Sequence, residues 1–199
     1  MRVLEVGPGE YPVDRYLADP GVDYVGAELG VWDGNNSGFA DDQFYAAMQE
    51  FRPSGDGVRF YYEPVSAIVE TGFDLEFAAN VFGDPRSIDR NDKGELVYPE
   101  QAERILAEAL ATRLKPSGSL EILETYTPID RDLLIDILGK TGFKMELLIE
   151  GSDLEDLVKL YYSRQAEVMV KRIQPMVRLE AALVHNLPVR HPYFARFRL

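Results

Sequence analysis

The sequence predicts an α/β fold: a doubly wound, mostly parallel sheet with helices on both faces. Three observations carry this. Strand-like and helix-like segments alternate from the first residue, the first strand runs straight into Gly7-Pro8-Gly9, and the helical stretches begin and end on recognisable signals. Strands separated by helices need crossovers, which makes the sheet parallel and buries both of its faces.

The strand-like runs come in order. Arg2 to Val6 and Asp23 to Glu28 are short and apolar, and Val58 to Tyr62 and Asp74 to Asn80 follow. Ser119 to Glu124 and Lys144 to Glu150 supply two more. The last, Glu167 to Arg172, alternates apolar and polar residues and is expected to close the sheet as its one antiparallel strand. Between them, Asp41 to Phe51 predicts a short helix with Phe44, Met48 and Phe51 inward. Pro99 opens a second helix with Ala102, Ile105, Leu106, Ala109 and Leu110 on one face, stopped by Pro116-Ser117-Gly118. Thr127-Pro128 caps a third, with Leu133, Leu134, Ile137 and Leu138 as its stripe and Gly142 as its stop. Ser152 and Glu155 form a capping box ahead of Leu154, Leu157, Val158 and Tyr161. Gly30 to Pro53 and Gly83 to Tyr98 are too long for plain connections. Residues 1–173 are expected to form the domain, with 174–199 an extension that is part of it or an arm or lid.

Composition narrows the function. Of 199 residues 46% are hydrophobic, enough for one core. Lys and Arg number 21 against 34 Asp and Glu, a formal charge of −13 that argues against nucleic acid and anionic membrane as partners. Cysteine is absent and there are two histidines, so neither disulfides nor a Cys/His metal centre is expected. Glu5 stands where a signal peptide needs apolar residues, and no apolar run reaches the roughly 20 residues of a spanning helix; a soluble, cytoplasmic protein is expected.

The glycine turn is the strongest local signal. Glycines after a strand let a ligand approach backbone that a Cβ would screen, and in a doubly wound sheet ligands bind at such carboxyl ends. Alone, Gly-x-Gly is equally a tight strand-to-helix turn. Glu28 ends the second strand 19 residues after Gly9, where a carboxylate can accept the hydroxyls of a ribose. The run Phe73 to Asn80 ends on a polar residue, and Leu114-Lys115-Pro116-Ser117-Gly118 precedes another strand.

As an ordered set over residues 1 to 150, these resemble the class I S-adenosylmethionine-dependent methyltransferases. Glu5-x-Gly7-x-Gly9 is similar to the family's first motif and Gly26-Ala27-Glu28 to its second-strand acid. Phe73-Asp74 through Asn80 is similar to its fourth strand, and Leu114 to Gly118 to its Leu-Lys-Pro-Gly-Gly turn. The resemblance implies a seven-stranded sheet with one antiparallel strand. It implies S-adenosylmethionine as cofactor, S-adenosylhomocysteine as product, and transfer of a methyl group. It places Glu5, Gly7 and Gly9 along the methionine part, Glu28 at the ribose and Asn80 near the methyl, with Pro8 and Leu29 also among the cofactor-binding residues. Glu63 is the candidate for the adenine. Tyr11 departs from the family by standing where many members have a third glycine.

A nicotinamide dehydrogenase needs Gly-x-Gly-x-x-Gly, and Pro12 holds the third place. Glu5 and Glu10 would also repel a pyrophosphate, whereas they suit an ammonium and a sulfonium. With the acidic charge and no Asn-Pro-Pro-Tyr turn after Asn80, a small-molecule acceptor is expected. Candidates for a base are Asp84, which follows the fourth strand, and His185 and His191, each equally readable as a packing or surface histidine. No metal is assigned. The Arg190 to Leu199 tail reads as packing on its own domain, as docking on a second subunit of a homodimer, or as contacting an anionic substrate. The competing reading is a methyltransferase-like module that binds without catalysing.

Overall fold

The computed structural model describes residues 1–8, 12–28, 46–61, 63–79, 81–82, 89–90, 96–97, 100–124, 131–162, 167, 169–170 and 192–199. Along the chain these form β1 (Arg2–Val6), α1 (Asp14–Leu17), β2 (Asp23–Ala27), helical residues 46–51 (α2), β3 (Val58–Tyr61) and a single 3₁₀ turn (Val65–Ala67). Then come β4 (Phe73–Ala79), β5 (Asp89–Arg90), β6 (Leu96–Val97), α3 (Glu100–Arg113) and β7 (Leu114–Glu124). The last are α4 (Arg131–Lys140), β8 (Lys144–Glu150), α5 (Asp153–Tyr161) and β9 (Tyr193–Arg198).

Seven strands form one sheet in the order β3-β2-β1-β4-β7-β9-β8, and β5 and β6 pair separately. Neighbours from β3 to β7 are parallel, while β9 runs antiparallel to both β7 and β8. Helices cover both faces. Leu4, Val6, Ala78, Leu120 and Ile122 pack with Ala107 and Leu110 of α3 and Leu134, Ile137 and Leu138 of α4. Val3, Leu75, Phe77 and Leu123 pack with Leu17 of α1, Ala47 of α2 and Leu154, Val158 and Tyr161 of α5. Burial on both sides is why β1 carries apolar residues facing both ways, Val3 on one side and Leu4 and Val6 on the other.

The last strand departs from expectation. Residues 167, 169 and 170 are helical, and the antiparallel strand is β9 in the tail. The alternation at Glu167 to Arg172 is too short to separate the two periods, since Met169 and Val170 are buried next to one another as a helix face allows. β9 sits between β7 and β8, and its Tyr193, Phe194, Ala195 and Phe197 are buried.

Other local expectations shift too. α3 turns Ala107 and Leu110 onto the sheet and leaves Ile105 49% exposed, because the small Ala107 permits the close approach. Ser152 has helical backbone angles and no side-chain cap bond, so the capping box does not form. The Leu114-to-Gly118 turn lies inside β7, as an irregularity in its pairing with β4 between Phe73 and Leu75. A Cβ on Gly118 would stand 2.9 Å from the Phe73 carbonyl oxygen and 2.7 Å from Leu114 Cδ1, which only glycine avoids. Edge strand β8 carries a register shift between Met145 and Leu147 and the charges of Lys144, Glu146 and Glu150, features that discourage further strand pairing.

At the amino ends of the strands a charged cluster ties β1 to β4. Arg2 reaches Asp23 at 3.1 Å and also Glu70, and Arg59 meets Asp23 at 2.9 Å and Glu70 at 3.0 Å. Lys115 meets Asp74 at 2.6 Å. No described helix is long and apolar enough to cross a membrane.

Candidate functional site

From β1 the chain winds outward through β2 to β3, then returns to β4 on the other side of β1. The winding direction reverses between β1 and β4, and in open α/β sheets the crevice at the carboxyl ends there is where ligands bind. Gly7 lies at that point. Its φ is +67°, its N–H donates to the Ala27 carbonyl at 2.8 Å, and Pro8 after it is buried. A Cβ on Gly7 would stand 2.8 Å from Val81 Cγ2, so the glycine lets the exits of β1 and β4 close up. Gly7→Ala is therefore expected to lose roughly 2–4 kcal/mol, from left-handed backbone strain plus the overlap with Val81. Urea unfolding would measure it, and a wild-type midpoint would show that the turn does not need this geometry.

Glu5 is fully buried in the middle of a row that runs Gly26, Glu5, Phe77, Glu121, Arg196 across five strands. Its carboxylate accepts the Val13 N–H, at 3.1 and 2.9 Å to its two oxygens, and the Tyr24 hydroxyl at 2.5 Å. It thus ties the segment returning from the glycine turn to β1. Burial pushes its pKa up to about 8; the Tyr24 and Val13 bonds oppose the rise, and Glu28 and Asp14 add to it. Glu28 follows β2 directly, is buried, and donates its N–H to the Tyr61 carbonyl at 3.0 Å.

Gly7, Pro8 and Glu28 thus come together at the carboxyl ends of β1 and β2, with Glu5 behind them in the core. Glu63 is exposed after β3, two strands away from β1. Gly9, Leu29, Asn80, Asp84, His185 and His191 lie outside the described residues.

Two residues that sequence reading passed over belong to this edge. Glu124, the last residue of β7, is buried and accepts the Phe82 N–H at 3.2 Å, linking the exits of β7 and β4. An acid closing an apolar strand was its only signal. Tyr24 reads as an ordinary strand aromatic, and nothing in its spacing to Glu5 shows that the two meet. Among the described residues no group of three or more His, Cys, Asp or Glu is placed to hold a metal.

The fold is shared with many solved structures. A TehB-like SAM-dependent methyltransferase from Corynebacterium glutamicum is 19% identical, with a TM-score of 0.55 over 99% of this chain and 79% of that one. Magnesium protoporphyrin IX methyltransferase from Synechocystis PCC 6803, solved with bound SAM, is 12% identical, with a TM-score of 0.58 over 98% and 68%. The cyclase SpnF is 15% identical, with a TM-score of 0.55 over 99% and 74%. No family model and no curated protein sequence matches the chain. The strand order, the antiparallel β9 and these likenesses together show that the chain has the fold of the class I S-adenosylmethionine-dependent methyltransferases.

Proposed function

We propose that the protein is an S-adenosylmethionine-dependent methyltransferase acting on a small-molecule acceptor. The observation that carries this reading is the Gly7 turn at the reversal between β1 and β4, with the Glu28 carboxylate closing the neighbouring strand. Neighbours solved with bound SAM or its demethylated product support the choice of cofactor. So does the buried acidity of Glu5, Asp14 and Glu28, which suits a cation and repels a pyrophosphate.

The residues present fit that cofactor. Gly7 holds the left-handed turn that ends β1 at the reversal of the sheet, and Glu28 supplies a carboxylate at the position that the resemblance assigns to the ribose. When bound, the cofactor supplies a methyl carbon already activated by its sulfonium. The task of the chain is then mainly alignment and exclusion of water, so few catalytic side chains are needed. The turn fixes one end, Glu28 holds the sugar, and the ends of β4 and β7, joined through Phe82 and Glu124, form the floor on the acceptor side. A hydroxyl or ammonium acceptor needs a base, and Asp84 is the candidate by its place after β4. The SpnF likeness keeps a second reading open, a domain of this fold put to another use, because the fold alone does not choose the reaction.

Calorimetric titration with S-adenosylmethionine, S-adenosylhomocysteine and NAD at pH 8 tests the proposal. Saturable binding of the first two is expected. Glu28→Ala should weaken it roughly 10- to 100-fold, the size of losing hydrogen bonds to a charged group. Silence from both in a folded protein would sink the proposal, and NAD binding alone would mean a dinucleotide turn. Turnover with small acceptors then separates enzyme from binding module.

A further inference from the structure

Past their last paired residues, the parallel strands stay laced together at their carboxyl ends. The Glu28 N–H donates to the Tyr61 carbonyl at 3.0 Å, joining the exits of β2 and β3. The Gly7 N–H donates to the Ala27 carbonyl at 2.8 Å, joining β1 to β2. Both steps run backbone to backbone, like the ladder they extend. From β1 to β4 the step is packing: a Cβ on Gly7 would stand 2.8 Å from Val81 Cγ2, so the Val81 side chain lies on the turn itself. From β4 to β7 a side chain takes over. The Glu124 carboxylate accepts the Phe82 N–H at 3.2 Å, in the role a carbonyl plays between β1 and β2. Val81, Phe82 and Glu124 are all buried, and Val81 and Phe82 share one core cluster with Val6, the residue before the turn.

Val81 and Phe82 are consecutive, so a hold on one sets the other. The peptide between them is planar, and an N–H fixed at Phe82 fixes that plane. The Val81 side chain is branched at Cβ and stiff, so it follows its backbone rather than rotating away. We propose that Glu124 is a positioning residue for the methyl donor: by holding the Phe82 N–H it seats Val81 against the Gly7 turn, and so keeps the turn in the shape that the donor binds. That role rests on the methyltransferase reading and deepens it. Glu124 acts through Val81 and the turn, with no contact of its own to the reacting atoms required. What it contributes is the reach of its side chain rather than its charge. Loss of the bond removes one fixed point of the segment, and the wall beside the turn shifts with it.

Two variants of the full chain separate reach from charge. Glu124→Gln loses the charge but keeps an oxygen at the same reach. Glu124→Asp keeps the charge and draws its oxygens back by one carbon–carbon bond, about 1.5 Å, too far to hold an N–H now at 3.2 Å. Each is titrated calorimetrically at pH 8 with S-adenosylmethionine and with S-adenosylhomocysteine. Glu124→Gln is expected to bind both within about threefold of wild type, and Glu124→Asp about tenfold more weakly. The Phe82 amide, followed by NMR hydrogen exchange in the ligand-free chains, should exchange about tenfold faster in Glu124→Asp than in Glu124→Gln. Val81→Ala removes the side chain that lies on the turn and should weaken both ligands by a similar factor, a readout that stands if the aspartate variant does not fold. A role in stability alone would lower the urea midpoint of Glu124→Asp and leave the affinity of its folded chain unchanged. That result, wild-type affinity in Val81→Ala, or a glutamine variant as weak as the aspartate one would overturn the proposal while leaving the methyltransferase reading standing. Failure of the wild type to bind either ligand would overturn both.

Discussion

Glu121→Ala is expected to destabilise the protein by about 3 kcal/mol, a fall in Tm of roughly 6–12 °C. Glu121 is buried at the centre of β7 and ties together three elements. One oxygen accepts Arg196 Nε at 2.8 Å and a terminal guanidinium nitrogen at 2.7 Å; the other accepts Tyr161 at 2.7 Å and Tyr16 at 3.3 Å. The loss of each bond would be modest, but two buried hydroxyls would lose their carboxylate acceptor, and their bond to one another recovers that desolvation only in part. Arg196 can turn partly to water, its side chain being 36% exposed, which keeps the loss below that of a fully buried ion pair. Tyr161→Phe removes a single hydroxyl and should cost about 1 kcal/mol. A Tm for Glu121→Ala within about 2 °C of wild type would mean that the network does not hold α1 and α5 to the sheet.

Stability should also fall as the pH rises from 5.5 to 8.5, the reverse of what paired carboxylates produce. Burial lifts Glu5 to about 8 from an ordinary 4.5, and lifts Glu76, in the centre of β4, well above its usual range despite the opposing attraction of Arg113. Among the described residues neither Glu76 oxygen has a hydrogen-bond partner. Over this range the folded chain binds more protons than the unfolded one. The stability these groups carry is full below about 4.5 and is lost as the pH climbs through about 8, a loss of several kcal/mol from Glu5 alone. Three exposed or half-buried acids act the other way. Arg59 holds Asp23 down, Lys115 and the Arg2 N–H hold Asp74 down, and Arg59, Tyr61 and Arg2 overcome the burial of Glu70. Their contribution is present above about pH 4 and lost below it. Maximum stability is therefore expected near pH 5, and the formal charge of −13 steepens the alkaline side through self-repulsion. Urea midpoints at pH 5.5 and 8.5 would show the order. Glu76→Gln should raise the pH 8.5 midpoint more than the pH 5.5 one, because it removes the ionisation that the core resists. A wild type more stable at 8.5 would contradict the buried state of both acids.

These two acids also show where sequence reading stops. Glu76 stands in Phe73 to Ala79 two residues after Asp74, the spacing of a half-exposed face, yet it is fully buried on the side that α3 covers. Alternation reports which residues share a face, not whether a helix later covers it. Glu167 to Arg172 failed as a strand for the related reason that six residues cannot separate a period of two from one of 3.6. β9 was hidden in an arginine-aromatic tail because its arginines find acids only on neighbouring strands, Arg196 the buried Glu121 of β7 and Arg198 the exposed Glu146 of β8.

What the amino-acid order determined is the set of features that are local in the chain. These are six of the seven strands of the main sheet, the Gly142 stop after α4, and a glycine turn followed by a strand-end acid, each legible within a few residues because backbone conformation and face periodicity are short-range properties. What only the folded chain decided is which of those features meet. The seventh strand comes from the tail and lies between β7 and β8, Tyr24 and Val13 close on Glu5, and Glu124 holds Phe82, contacts between residues distant in sequence. The reason is physical: a buried carboxylate takes its partners and its proton from whatever packing brings within about 3 Å, and packing is a property of the whole sheet and its covering helices.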